Sequence, residues 1–253
     1  MREACKIVES STGWKDAAIR DGGMKFAIIA DVHANLEAFQ AVLGDAEQQR
    51  CTHYAFLGDF VGYCADPKAC IDIVRSMNAR CVKGNHDEYC AMGLPLVGFN
   101  PKAAKAVQWT RNQLTEDDRR WLQSLPYVLR IESFTIVHAT LDSPERWGYV
   151  FDRLAANASL VRQNTDLCFF GHTHVPVAFI RDTVVRGGTY TKFKVEHRKQ
   201  YFVNVGAVGQ PRDNDPKAAY VVYDMDEGTV ELRRLAYDIA AAQKKIRDAG
   251  LGR

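Results

Sequence analysis

Five times along this chain a short apolar run stops at an aspartate, an asparagine or a histidine. Phe26-Ala27-Ile28-Ile29-Ala30 leads to Asp31 and His33, and Tyr54-Ala55-Phe56-Leu57 leads to Gly58-Asp59. Cys81-Val82-Lys83 leads to Gly84-Asn85-His86, Phe134–Val137 to His138, and Leu167–Phe170 to Gly171-His172-Thr173-His174. Runs this short read as strands buried on both faces. Helical patterns separate the first three. Leu36, Phe39 and Leu43 are spaced for a helix over about 35–47, and Pro67 opens a second that reaches about residue 78. Strand, helix, strand, helix, strand implies parallel strands with helical crossovers. In an open α/β sheet the carboxyl ends of such strands border the binding crevice. The pattern therefore predicts that the polar run ends are gathered in one place.

The remainder is less regular. Residues 100–125 predict two helices, the second opened by Thr115 and Asp118 in a capping-box arrangement and closed by Pro126. Strands are expected at 127–131 and 134–137, with a short helix at 152–157. After Pro176 the pattern turns to strands, at 177–181, 183–185, 192–196, 201–205, 219–224 and 229–235, with Gly187-Gly188 and Glu227-Gly228 as turns. A last helix is expected over 238–248. Residues 24–253 read as one domain with a helical insertion at about 100–125. Residues 1–23, polar and aperiodic, are expected to be a loosely packed extension.

Composition narrows the chemistry. A chain of 253 residues, 47% hydrophobic and 25% charged, can bury a large core. A net charge of +2 offers no electrostatic footprint for nucleic acid. No run is long enough to cross a membrane, and the N-terminus lacks a signal-peptide pattern, so a cytoplasmic protein is expected. The seven cysteines are irregularly spaced without a C-x-x-C pair, which predicts reduced thiols and no Cys-type zinc site. Oxygen and nitrogen ligands remain. Asp31 and His33, two apart on an extended chain, point the same way. Five of the seven histidines lie at the run ends. Asp, His and Asn without Cys suit a borderline divalent metal. A single zinc would leave about half of these groups unused, whereas two ions sharing a carboxylate are the arrangement used for phosphate-ester chemistry.

The ordered set of motifs resembles the calcineurin-like metallophosphoesterase superfamily. Gly58-Asp59-Phe60-Val61-Gly62-Tyr63 and Asn204-Val205-Gly206-Ala207-Val208-Gly209-Gln210-Pro211-Arg212-Asp213 further resemble its small bacterial and archaeal phosphodiesterase-like branch. The resemblance implies a four-layer αββα sandwich, two mixed sheets flanked by helices, with the metal site at the strands' carboxyl ends. It implies two divalent cations, manganese first, with iron, zinc, cobalt or nickel as alternatives. Asp31, His33, Asp59 and His174 would hold one, and Asp59, Asn85, His138 and His172 the other. A metal-bridging hydroxide would hydrolyse phosphomonoesters or small phosphodiesters, with His86 protonating the leaving group. The superfamily's protein Ser/Thr phosphatases carry an Asp three residues after the bridging Asp and an Arg next to it. Here those positions are Gly62 and Tyr63, which argues against a phosphoprotein substrate and leaves His86 without an orienting partner. Arg212 is the expected phosphate contact, and Tyr63, Cys64 and Phe99 are expected to line the pocket. Asn35 and Asp87 are expected to shape turns, and His53 and His197 to be structural. The competing reading is a non-catalytic protein-binding module on the same fold; the complete ligand set favours the enzyme.

Overall fold

The computed structural model describes residues 8–9, 23–77 and 79–251. The predicted N-terminal extension thus lies outside the described residues, apart from Val8–Glu9 and Gly23. In chain order the elements begin with β1 (Val8–Glu9), β2 (Lys25–Ile29), α1 (Leu36–Gln48), β3 (His53–Phe56), α2 (Pro67–Ser76), β4 (Arg80–Cys81) and α3 (Asn85–Met92). The middle of the chain forms α4 (Pro101–Gln113), α5 (Glu116–Ser124), β5 (Val128–Ile131), β6 (Phe134–Val137), α6 (Arg153–Arg162), β7 (Leu167–Phe170) and β8 (Val177–Arg181). The remainder is β9 (Val185–Gly188), β10 (Lys192–Lys194), β11 (Gln200–Asn204), β12 (Ala218–Asp224), β13 (Thr229–Leu235) and α7 (Ile239–Asp248).

Two mixed sheets form, in the orders β10-β13-β12-β2-β3-β4 and β1-β5-β6-β7-β11-β8-β9. Each has a parallel centre: β2, β3 and β4 in one, β6, β7 and β11 in the other. The period of two along the strands sorts side chains into three cores. Phe26 and Ile28 of β2 meet Phe134 and Ile136 of β6 and Phe169 of β7 between the sheets. Ala27 and Ile29, on the other face of β2, pack with Phe39 and Val42 of α1 and Ile71 and Val74 of α2. Cys168 and Phe170 of β7 pack with Ala156 and Leu160 of α6 outside the second sheet. Helices, sheet, sheet and helix give four layers. Every central strand is covered on both faces, which is why the strands read as continuous apolar runs.

Several local expectations are corrected. Residues 85–92, for which the sequence predicts no element, form a helix that has no apolar stripe, because its buried face includes His86, Asp87 and Glu88. The helix after Asp152 runs well past its predicted end, to Arg162, with the Asp152 carboxylate accepting from the backbone of Leu154 and Ala155. Gly187-Gly188 is no turn: both lie in β9, paired with Phe179 and Ala178 of β8. The turn falls earlier, where the Asp182 carboxylate accepts the backbone N–H groups of Thr183 and Val184. The described cysteines Cys51, Cys64, Cys70, Cys81, Cys90 and Cys168 are all free.

Candidate metal centre

The two parallel centres abut, and their carboxyl ends open toward one point. Asp31 and His33 follow β2, Asp59 follows β3, and Asn85 and His86 open α3 just after β4. His138 follows β6, and His172 and His174 follow β7. Three groups have ligand atoms within 4.8 Å of one another: Asp31, His33 and His174; Asp59, His138 and His172; and His33, Asp59 and His86. All of these side chains are buried.

Each of four imidazoles is anchored by one ring nitrogen on a backbone carbonyl. His33 Nδ1 donates to Val61 O (3.0 Å), His138 Nδ1 to Leu57 O (2.7 Å), His174 Nδ1 to Gln210 O (2.6 Å), and His172 Nε2 to Trp147 O (3.0 Å). A carbonyl can only accept, so the nitrogen facing it carries the proton and the other nitrogen of the neutral ring is bare. The four opposite nitrogens, bare wherever the ring is neutral, face inward. His33 Nε2 lies 3.1 Å from His174 Nε2, and His138 Nε2 lies 3.1 Å from His172 Nδ1. His138 Nε2 also lies 3.2 Å from Asn85 Oδ1. The Asp59 Oδ2 atom stands between the pairs, 3.5 Å from His33 Nε2 and 3.4 Å from His138 Nε2. Asp31 Oδ1 has no hydrogen-bond partner among the described residues and lies 3.3 Å from His174 Nε2.

Lone pairs converging at these separations, with a buried carboxylate oxygen left orphaned, call for positive charge among them. The protonation balance says the same. Burial pulls His138 down, but the Asp59 carboxylate overrides it and raises the ring to about 9, so in the free protein a proton on Nε2 supplies there the positive charge that a cation would bring. His172 is pushed down to about 3 by burial and by His138. Burial alone would raise Asp59, yet the facing His138 and His86 hold it well below the usual carboxylate range. The donor set therefore fits one or two divalent cations: nitrogen and oxygen ligands, tautomers fixed by outer partners, and a carboxylate placed to be shared.

The backbone is strained to achieve this. Eight of the twelve non-glycine residues with positive φ among the described residues lie here: Asp31, His33, Ala34, Asp59, Tyr63, Trp147, His172 and His174. Such conformations cost of order 1 kcal/mol or more each and persist only where the surroundings impose them. The glycines before Asn85 and His172 have a specific reason. A Cβ on Gly84 would lie 2.1 Å from Asp59 Oδ1, and one on Gly171 would lie 2.5 Å from Asp31 Oδ2. The object that approaches each glycine is the carboxylate of a neighbouring motif.

Asp87 and Asn35 shape turns, as expected. The Asp87 carboxylate accepts from the backbone of Asp59 (2.7 Å), Phe60 (2.9 Å) and Gly84 (3.0 Å). Asn35 caps α1 and donates to Gly209 O. His86 sits against Tyr63 (centroids 4.6 Å), His33 (4.8 Å) and Phe99 (6.0 Å). Its Nδ1 has no hydrogen-bond partner among the described residues, and burial lowers the ring to about 4. The orienting carboxylate that the superfamily's protein phosphatases carry is replaced here by Gly62, where a Cβ would come within 2.3 Å of Nδ1. Arg212 reaches Tyr63, its Nη2 donating to the phenol oxygen at 3.2 Å and its guanidinium lying 5.7 Å from the ring centroid. Cys64, expected to line the pocket, is buried. The sequence reading gave no role to Trp147 or Asn204. Trp147 supplies the carbonyl under His172, and Asn204 donates to Gly171 O (2.6 Å) and Thr173 Oγ1 (2.9 Å), holding the loop that carries His172 and His174. Only the conspicuous Asn204–Asp213 motif signalled the latter.

Residues 24–228 match the calcineurin-like phosphoesterase superfamily domain. The chain is 35% identical over 227 residues to an uncharacterized protein of Methanocaldococcus jannaschii, covering 87% of this chain and 90% of that one. A crystal structure of a metallophosphoesterase from Sphaerobacter thermophilus superposes with a TM-score of 0.81 at 38% identity, covering 90% of this chain and 95% of that one. A hypothetical protein from Pyrococcus horikoshii shares the fold with a TM-score of 0.73 at 17% identity, over 90% and 94% of the two chains.

Proposed function

Because this chain belongs to the calcineurin-like phosphoesterase superfamily, we propose that it hydrolyses phosphomonoesters or small phosphodiesters with two divalent cations held at the strand ends. The observation that carries this reading is the set of four carbonyl-anchored imidazoles whose inward nitrogens converge on Asp31 and Asp59. Asp31, His33, Asp59 and His174 would hold one cation and Asp59, Asn85, His138 and His172 the other, with Asp59 shared. Such a pair, when bound, acidifies water at the site and offsets charge on the phosphoryl oxygens. Donors of this type suit manganese, iron, cobalt or zinc.

The remaining work falls to side chains around the cluster. His86 is wedged between rings, and the Asp59 carboxylate accepts its backbone N–H at 2.8 Å. It is the group we assign to protonate the leaving oxygen. Burial keeps it neutral in the free protein, and the negative charge of a bound phosphate raises its affinity for a proton. Arg212, at the rim on Tyr63, is suited to meet phosphoryl oxygens with a planar fork of donors; Arg212→Ala is expected to raise KM more than it lowers kcat. Tyr63 and Phe99 wall one side and keep bulk water from His86.

One observation favours a second role for His86, since it also lies within ligand reach of His33 and Asp59. Metal content of His86→Ala separates the two roles. The function itself is tested by stripping the protein with chelator, reloading it with manganese, nickel, cobalt or zinc, and assaying an aryl monoester against an aryl diester. Metal-dependent turnover of either ester is expected. Stoichiometric metal with no turnover of either would overturn the proposal in favour of a binding module.

A further inference from the structure

From Trp147 to Phe151 the chain runs along the rim of the cluster and sets three rings in succession. Trp147 meets His138 edge-on, with centroids 5.7 Å apart. Tyr149 lies over His172 at 4.3 Å, its plane tilted by 31°. Phe151 lies parallel to Tyr149, within 5°, at 5.7 Å. Tyr149 is 54% exposed and Phe151 is 65% exposed. Exposed rings in parallel register gain little from burial, and apolar surface of this kind beside a polar site marks a binding surface.

Phe151 also walls a cavity of about 380 Å³, lined by Val150, Arg153, Pro176, Phe179 and Thr189 among others. That volume is in the range of small-molecule sites. Thr173, between His172 and His174, lines the same cavity. One loop therefore serves the ligand cluster on one side and the cavity on the other, with Tyr149 and Phe151 joining them.

We infer that Tyr149 and Phe151 form a stacking platform for the base of a nucleobase-bearing phosphate ester whose phosphoryl group occupies the metal cluster; the inference rests on the phosphoesterase reading above. A base presents a flat face to the rings, and stacking of this kind tolerates any base. Arg153 and Thr189 are among the residues that line the cavity, and their side chains are of the donor type that suits the acceptors on a base edge. The net charge of +2 points to a mononucleotide or a short nucleotide ester rather than a polymer, whose binding depends on many phosphate contacts.

The test is calorimetric titration of the metal-reloaded full chain with AMP, ribose 5-phosphate and inorganic phosphate. AMP is expected to bind about tenfold more tightly than ribose 5-phosphate, the scale of one stacked base. Phe151→Ala should abolish that difference and leave inorganic phosphate binding unchanged, while Phe151→Tyr should preserve it. Equal affinity for AMP and ribose 5-phosphate, or a difference that survives Phe151→Ala, overturns the platform. Turnover measured on the same samples separates the two readings. Ring-dependent binding without hydrolysis of any ester sinks the phosphoesterase proposal and leaves the platform standing. Hydrolysis with no preference for a base-bearing ester sinks the platform alone.

Discussion

Gly84→Ala isolates the role of space at the centre. Gly84 has φ −104° and ψ 175°, extended backbone open to any residue, so alanine adds a methyl group without backbone strain. That methyl would lie 2.1 Å from Asp59 Oδ1, 2.5 Å from the Asp59 backbone nitrogen and 2.7 Å from Asp59 Cγ, so the backbone at Asp59 must shift with its carboxylate. The carboxylate must retreat by about 1 Å, several times the ~0.2 Å tolerance of a metal–ligand bond. It would also leave the His86 backbone N–H that it now accepts at 2.8 Å. Overpacking costs about 1–3 kcal/mol and a lost charged hydrogen bond about 1.5–3 kcal/mol. We expect a stability loss of roughly 3 kcal/mol, which a typical domain survives, with metal content at least halved. Urea unfolding of the stripped protein and elemental analysis of the reloaded protein give the two numbers. Gly93→Ala is the control. Gly93 has φ +67°, and a methyl group there would meet no other atom within 4 Å, so the variant should lose about 1 kcal/mol and keep all its metal. A Gly84→Ala protein with wild-type metal content and turnover would refute the account of why glycine precedes the ligands.

Other outcomes follow from the same geometry. Asp59→Asn should abolish turnover and lower metal content, because it removes the one carboxylate within 3.5 Å of both His33 and His138; normal metal content by elemental analysis would remove Asp59 from the shared position. His86→Ala should retain metal and slow turnover by about 100-fold or more, most for alkyl esters with poor leaving groups; equal slowing of aryl and alkyl esters would sink its role as the acid. Far from the centre, burial would raise Asp45, but its bonds to Arg233 and Tyr220 outweigh that and lower it. A carboxylate lowered on folding stabilises above its unfolded pKa of about 3.9 and loses that contribution as pH falls through the folded value. Asp45→Asn should therefore cost about 1–2 kcal/mol in urea unfolding at pH 7, and the gap to wild type should close below pH 4; a pH-independent gap would contradict the linkage.

What was legible in the sequence was whatever is buried on both faces or repeated. β2 reads plainly because Phe26 and Ile28 face one core while Ala27 and Ile29 face another. The candidate ligands read plainly because each follows such a strand. What escaped was fixed by tertiary contacts. The helix Asn85–Met92 buries His86 and Asp87 for the sake of the centre, so no amphipathic period marks it. The Gly187-Gly188 pair looks like a turn, yet the ladder to Ala178 and Phe179 holds it extended, one Cβ position lying 2.7 Å from the Phe179 ring. Trp147 acts through its carbonyl, which every residue possesses, so side-chain chemistry could not reveal it. The lowered His86 is likewise a property of its surroundings and not of its motif.

The pairing of β2 with β12 has a consequence for how the chain is made. On one side β2 pairs with β3, which follows it closely; on the other it pairs with β12, Ile28 facing Val221. The partner for that second edge leaves the ribosome about 190 residues later, a wait on the order of 10–40 s at ordinary rates of synthesis. For that interval the strand that delivers Asp31 and His33 carries an open, strongly apolar edge in the nascent chain, the kind of template that invites pairing with another chain. Translation that pauses before residue 218 prolongs the exposure, so stalled or truncated chains of this protein should aggregate where completed ones do not.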